Sequence, residues 1–96
     1  MATGPVTVQL RMSQAHWNDL QRHLFPGDGD EHGAVIAAAV IETPRGVRLL
    51  THRLFVAHDG VDYVPGQRGY RMLTAEFVMD CALECADLKM AYLAVH

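Results

Sequence analysis

Glu31 and His96 are the residues of this chain with the best claim to acid–base or metal chemistry. Glu31 stands between an acidic loop, Asp28-Gly29-Asp30, and a strongly apolar stretch that opens at Ala34. A carboxylate at the head of such a stretch is partly desolvated and can point into a cleft, which suits it to shuttling protons. His96 ends the apolar run Met90-Ala-Tyr-Leu-Ala-Val. A neutral imidazole at the end of a buried strand can ligate a metal. Taken alone, each has a plainer reading, Glu31 as the end of a solvated loop and His96 as a chain-end residue without a role. Together they do not make a catalytic zinc site, which takes three protein ligands. The sequence has no His-x-His and no His-Glu-x-x-His.

The remaining candidates carry weaker patterns. His16 and His23 are two helical turns apart and can share a face, and His52 and His58 fall on one side of a regular strand. None has a partner motif, so surface or satisfied-core roles are expected. Cys81 and Cys85 are one helical turn apart. Bridging them inside a helix would strain the backbone, and no second pair completes a tetrahedral site, so buried free thiols are expected. Neither has a basic neighbour to activate it as a nucleophile. Asp28-Gly29-Asp30 has the flavour of a calcium loop but lacks the later ligands. Gly66-Gln67-Arg68-Gly69 neither follows a clear strand nor opens a helix, so it is no phosphate cradle. A Gly-x-Ser-x-Gly elbow is missing.

Composition narrows the classes. Half the residues are hydrophobic, a fifth are charged, and the net charge is −3, which describes one globular domain over residues 1–96. No basic run appears, which argues against nucleic acid and anionic membranes as partners. The longest apolar run, Ala34–Ile41, is far too short to span a bilayer. No secretory signal opens the chain, and reduced thiols suit a cytoplasmic location.

The elements that must position Glu31 and His96 follow from periodicity. Val6–Met12 alternates apolar and polar residues, the pattern of a half-buried strand. Ser13 caps a helix over Gln14–Phe25 whose apolar positions are Trp17, Leu20, Leu24 and Phe25. Pro26-Gly27 stops it. Gly33–Ile41 and Val47–Ala57 form an antiparallel hairpin around a type I turn at Thr43-Pro44-Arg45-Gly46. A loop over His58–Gly69 holds a short strand at Asp62–Val64. Thr74 caps a second helix, with Glu76 near its N-terminal dipole and Phe77, Val78, Cys81, Ala82, Cys85 and Leu88 as its apolar side. Lys89 ends it, and Met90–His96 reads as a buried central strand. The predicted order is β-α-β-β-α-β.

In that order, the sequence resembles the first part of the JAMM/MPN domain, a family that includes zinc-dependent isopeptidases acting near ubiquitin-like or sulfur-carrier proteins. The resemblance runs from about Val6 to His96. Glu31-His32-Gly33-Ala34-Val35-Ile36 matches the family's Glu at the head of an apolar strand, although many members have Gly where Ala34 stands. Met90–His96 matches the strand that runs into a His-x-His-Pro motif, with His96 on the first His. The resemblance implies an incomplete three-layer α/β fold of the cytidine-deaminase-like type. It implies that Glu31 is a general base on metal-bound water and that His96 is a zinc ligand. Zinc in the parent domain would acidify its bound water and polarise the scissile carbonyl.

The second His, the Ser and the Asp of the family motif are absent. The chain therefore reads as a truncated domain, catalytically silent and holding zinc weakly or not at all. The rival reading is a non-catalytic MPN-like interaction scaffold, and a plainer third is an unrelated small α/β binding domain, in which Glu31 and His96 would lie far apart. Self-association is also expected, because a strand without its following segments leaves an open sheet edge.

Overall fold

Ten consecutive residues, Ala34–Thr43, form the strand on which the fold is built, here called β2. The structure, a computed structural model, describes residues 7–66 and 71–96. In chain order it contains β1 (Thr7–Arg11), α1 (Gln14–Leu24), β2, β3 (Gly46–Val56), α2 (Ala75–Leu88) and β4 (Ala91–Val95). This is the mixed α/β order expected. The four strands make one sheet in the order β1-β3-β2-β4. β2 is antiparallel to both β3 and β4, and β1 runs parallel to β3.

The first half of the β2 apolar run, Ala34–Ala38, is buried on both faces, whereas Val40 and Ile41 are 50% and 42% exposed. Ala34, Ile36 and Ala38 pack with Leu20 of α1 and Leu49 of β3. Val35 and Ala37 pack with Phe77, Cys81 and Cys85 of α2. The two helices thus cover opposite faces, and the small Ala residues of β2 let both approach closely.

The caps are as the sequence reads. The Ser13 hydroxyl accepts from the His16 N–H, and the Thr74 hydroxyl accepts from the Phe77 N–H. Lys89 closes α2 in the left-handed conformation at φ 56°. Gly46 closes the hairpin turn at φ 151°, where a Cβ would sit 2.0 Å from the Thr7 carbonyl oxygen. Only glycine lets β1 lie against β3 at that point. Of the Asp62–Val64 strand, a single bridge between Tyr63 and Leu73 forms.

Three expectations are corrected. Met90–His96 is not the central strand: β4 lies at the sheet edge and is half-buried. Its apolar composition comes from packing on both faces, Met90 and Tyr92 against the α2 cluster and Ala91, Leu93 and Val95 against the α1 cluster. β1 is exposed along its whole length rather than half-buried, and none of its residues belongs to either core cluster; Val8 is 66% exposed. On α1 only Leu20 is buried, while Trp17 and Phe25 are 49% and 71% exposed. Its apolar stripe is wider than the surface that α1 covers.

Candidate functional site at the β2–β4 end of the sheet

The antiparallel register of β2 and β4 decides what meets at this end. Ala34 pairs with Val95, so the residues before Ala34 and after Val95 emerge together. Glu31 and His96, 65 positions apart in sequence, are brought into contact there, with Oε1 of the carboxylate 2.5 Å from Nδ1 of the imidazole. An ionised carboxylate only accepts, so the proton of this bond sits on Nδ1 and leaves Nε2 as the nitrogen not engaged by Glu31. The Glu31 side chain is 28% exposed and that of His96 66% exposed. The contact is therefore open to solvent on the imidazole side.

Arg71 organises the backbone that carries Glu31. Its side chain is 9% exposed. Nε donates to the Glu31 carbonyl at 2.9 Å. A terminal nitrogen donates to His32 Nδ1 and to Asp59 Oδ1, both at 2.9 Å. The guanidinium lies 3.8 Å from the centre of the Tyr63 ring, a cation–π contact. Burial works against the Arg71 charge, but the Asp59 carboxylate outweighs it and raises the pKa above the ordinary value. The Tyr63 hydroxyl, in turn, accepts from the Gly33 N–H at 2.8 Å. Gly33 has little room for a side chain: a Cβ there would sit 3.1 Å from Leu73 Cδ2.

His32 is the buried polar residue of this network, at 6% exposure. Arg71 can only donate, so His32 Nδ1 accepts and Nε2–H donates to the two Asp28 oxygens at 3.0 and 2.9 Å. His32 is thereby fixed as the neutral Nε2–H tautomer. The hydrogen bond from His32, followed by that from the Asp30 N–H, holds the Asp28 carboxyl below its ordinary pKa. His23 Nε2 donates to the Gly33 carbonyl at 2.8 Å, so residues 31 to 33 are held from several sides.

Two groups bear on metal binding. Asp28, His32 and Asp59 form the cluster with metal-like spacing among the described residues. Arg71 already bonds two of its three members: its guanidinium donates to both His32 and Asp59. A bound cation would have to displace that charge, so the cluster is an ion-pair network. Glu31 and His96 bring one imidazole and one carboxylate, short of the three ligands a catalytic zinc takes. The described residues do not fit zinc on their own.

Other candidates fall into structural roles. Asp28, in the loop with a calcium flavour, accepts from the Asp30 N–H and from His32. His16, His23 and His52 line one groove of about 620 Å³ between α1 and β3, so His16 and His23 do share a face. His52 and His58 do not: His52 is the extra residue of a bulge opposite Ala37/Ala38, and His58 lies beyond β3 beside Asp59 and His32. Cys81 and Cys85 are buried free thiols. Burial pushes the Cys81 thiol up to about 11 and raises that of Cys85. In the Gly66–Gly69 motif, residues 67–69 lie outside the described residues.

Sequence reasoning missed His32, Asp59, Tyr63 and Arg71. His32 adjoins Glu31, and that adjacency was the available signal. Asp59, Tyr63 and Arg71 sit in a loop without periodicity and converge through tertiary structure alone. No helix among the described residues is long and apolar enough to cross a membrane. Comparison with protein-family models, with curated proteins and with solved structures finds no match.

Proposed function

We propose that this chain is the N-terminal part of a JAMM/MPN-type zinc metallohydrolase domain, one that cleaves peptide or isopeptide bonds near ubiquitin-like or sulfur-carrier C-termini. The observation that carries the reading is the Glu31–His96 contact at 2.5 Å across 65 residues. The β2–β4 register makes the two positions neighbours in any such sheet, and the proposed reading accounts for a Glu and a His standing there. The order β-α-β-β-α-β, with a helix on each sheet face, also suits a three-layer fold of the cytidine-deaminase-like type.

In this reading Glu31 is the catalytic carboxylate and His96 a metal ligand. The other ligands are not in the sequence, so the chain itself is assigned no hydrolytic step. The free thiols suit a cytoplasmic setting. The outer edge of β4 is the surface by which copies would self-associate, and a strictly monomeric species in light scattering at high concentration refutes that part.

The test is zinc content by elemental analysis, on the 96-residue chain and on a version extended past His96 in its gene. The expected result is substoichiometric zinc in the first, one equivalent in the second, and its loss in His96→Ala. An extended protein that takes up no zinc favours the scaffold reading and overturns the enzyme. A reading frame that stops at His96 does the same.

A further inference from the structure

We infer that Arg71 is the positioning residue of this site, aiming the Glu31 carboxylate at His96 from a loop 40 residues away. The inference rests on the proposed reading for the use made of Glu31, but its geometry stands apart from any metal.

Three consecutive residues are held by one guanidinium and the ring beneath it. Arg71 Nε bonds the Glu31 carbonyl, its terminal nitrogen bonds His32 Nδ1, and the stacked Tyr63 bonds the Gly33 N–H. Gly33 then leads into Ala34, the first residue of β2. The backbone on which the Glu31 side chain turns is therefore tied to the sheet at one end and to Arg71 at the other. Asp59 anchors Arg71 from the solvent side, with 65% of its own side chain exposed. Arg71 and His96 also line the same pocket of about 250 Å³, together with Tyr63, Leu73 and Val78. Arg71 reaches Glu31 through its main-chain carbonyl, and so acts on the carboxylate through the backbone that carries it.

The guanidinium is needed for its shape. A planar fork can meet a carbonyl, an imidazole and a carboxylate at once, whereas an ammonium is a single point of charge. Lysine at position 71 can keep the pair with Asp59 but cannot also reach Glu31 and His32.

The experiment reads the His96 ring by ¹⁵N NMR in the metal-free 96-residue chain at about pH 8, above the ordinary imidazole pKa of about 6.5. In the native chain the proton sits on Nδ1, opposite Glu31. Glu31→Ala removes the acceptor and sets the reference for a released ring. Arg71→Lys is expected to fold and to move the Nδ1 resonance most of the way to that reference. A folded Arg71→Lys chain that keeps the native resonance overturns the inference, because a merely structural Arg71 would lower stability without moving the His96 proton. If Arg71→Lys does not fold, Asp59→Asn decides. It loosens the anchor and leaves Arg71 in place, so a smaller shift in the same direction supports the inference and an unmoved resonance refutes it. Failure of the zinc test leaves this readout unchanged, so the two ideas fail separately.

Discussion

Tyr63→Phe removes one oxygen atom and tests whether the site backbone is held as described. Tyr63 is 7% exposed, and its hydroxyl accepts from the Gly33 N–H in a buried bond of 2.8 Å. Phenylalanine keeps the ring, its packing in the α2 cluster and the face presented to Arg71. What is lost is a hydrogen bond whose buried donor is left unsatisfied, a cost of about 1–3 kcal/mol. A domain of this size has about 5–14 kcal/mol of stability in all, so the loss is a visible fraction. Urea unfolding followed by far-ultraviolet circular dichroism should show a lower midpoint with an unchanged slope. The melting temperature should fall by about 4–8 °C for each kcal/mol. Exchange of the Gly33 amide hydrogen should quicken, about tenfold for each 1.4 kcal/mol if the bond opens locally. An unchanged midpoint together with unchanged Gly33 exchange refutes the reasoning, since the hydroxyl would then hold nothing.

Two further predictions concern charge and thiols. The Asp28 carboxyl is held below its ordinary value of 3.8, so the fold favours its ionised form. Its contribution to stability is present above 3.8 and is lost as pH falls through the lower folded value. Asp28→Asn gives up that contribution, so the native chain should exceed the variant in urea midpoint at about pH 6 and the gap should narrow steadily as pH falls below 3.8; a gap of constant size refutes the pairing with His32. The Cys81 thiol at about 11 and the raised Cys85 thiol are scarcely ionised near neutrality. In the native chain at about pH 8, neither should react with a disulfide reagent in the time that two react in urea. Prompt native labelling of either would contradict their burial.

Local structure was legible where one short-range rule decided it. Ser13 and Thr74 cap their helices as read, and the hairpin turns at Thr43–Gly46 where the sequence places it. The hairpin was legible because β2 is apolar on both faces and β3 returns from a tight turn. What failed was the reading of position from composition. An apolar run suggests a central strand, but β4 is an edge strand covered above and below, and hydrophobicity reports covered faces rather than hydrogen-bonded neighbours. Alternation in β1 equally says nothing about whether a face is covered, and both of its faces are exposed. Glu31 and His96 stood out through a pattern of order along the chain. The residues that hold them could not, because Tyr63, Asp59 and Arg71 join that end of the sheet through a loop whose path no periodicity describes.

The contact between Glu31 and His96 also limits the roles the resemblance assigns. A base on metal-bound water needs a carboxylate oxygen free to take a proton. Here Oε1 is spent on His96 Nδ1, at 2.5 Å. A carboxylate on one ring nitrogen fixes the tautomer and steadies the other nitrogen, the usual arrangement around a metal-bound histidine. In the proposed reading Glu31 would orient His96 with one oxygen, and any proton transfer would fall to Oε2 or follow release of the imidazole. Glu31→Gln separates the two uses, since the amide retains an oxygen to accept from Nδ1–H but cannot act as a base. Such a variant should keep the His96 proton on Nδ1 in the metal-free chain, and movement of that proton would show that the carboxylate charge, rather than the acceptor oxygen, holds the ring in place.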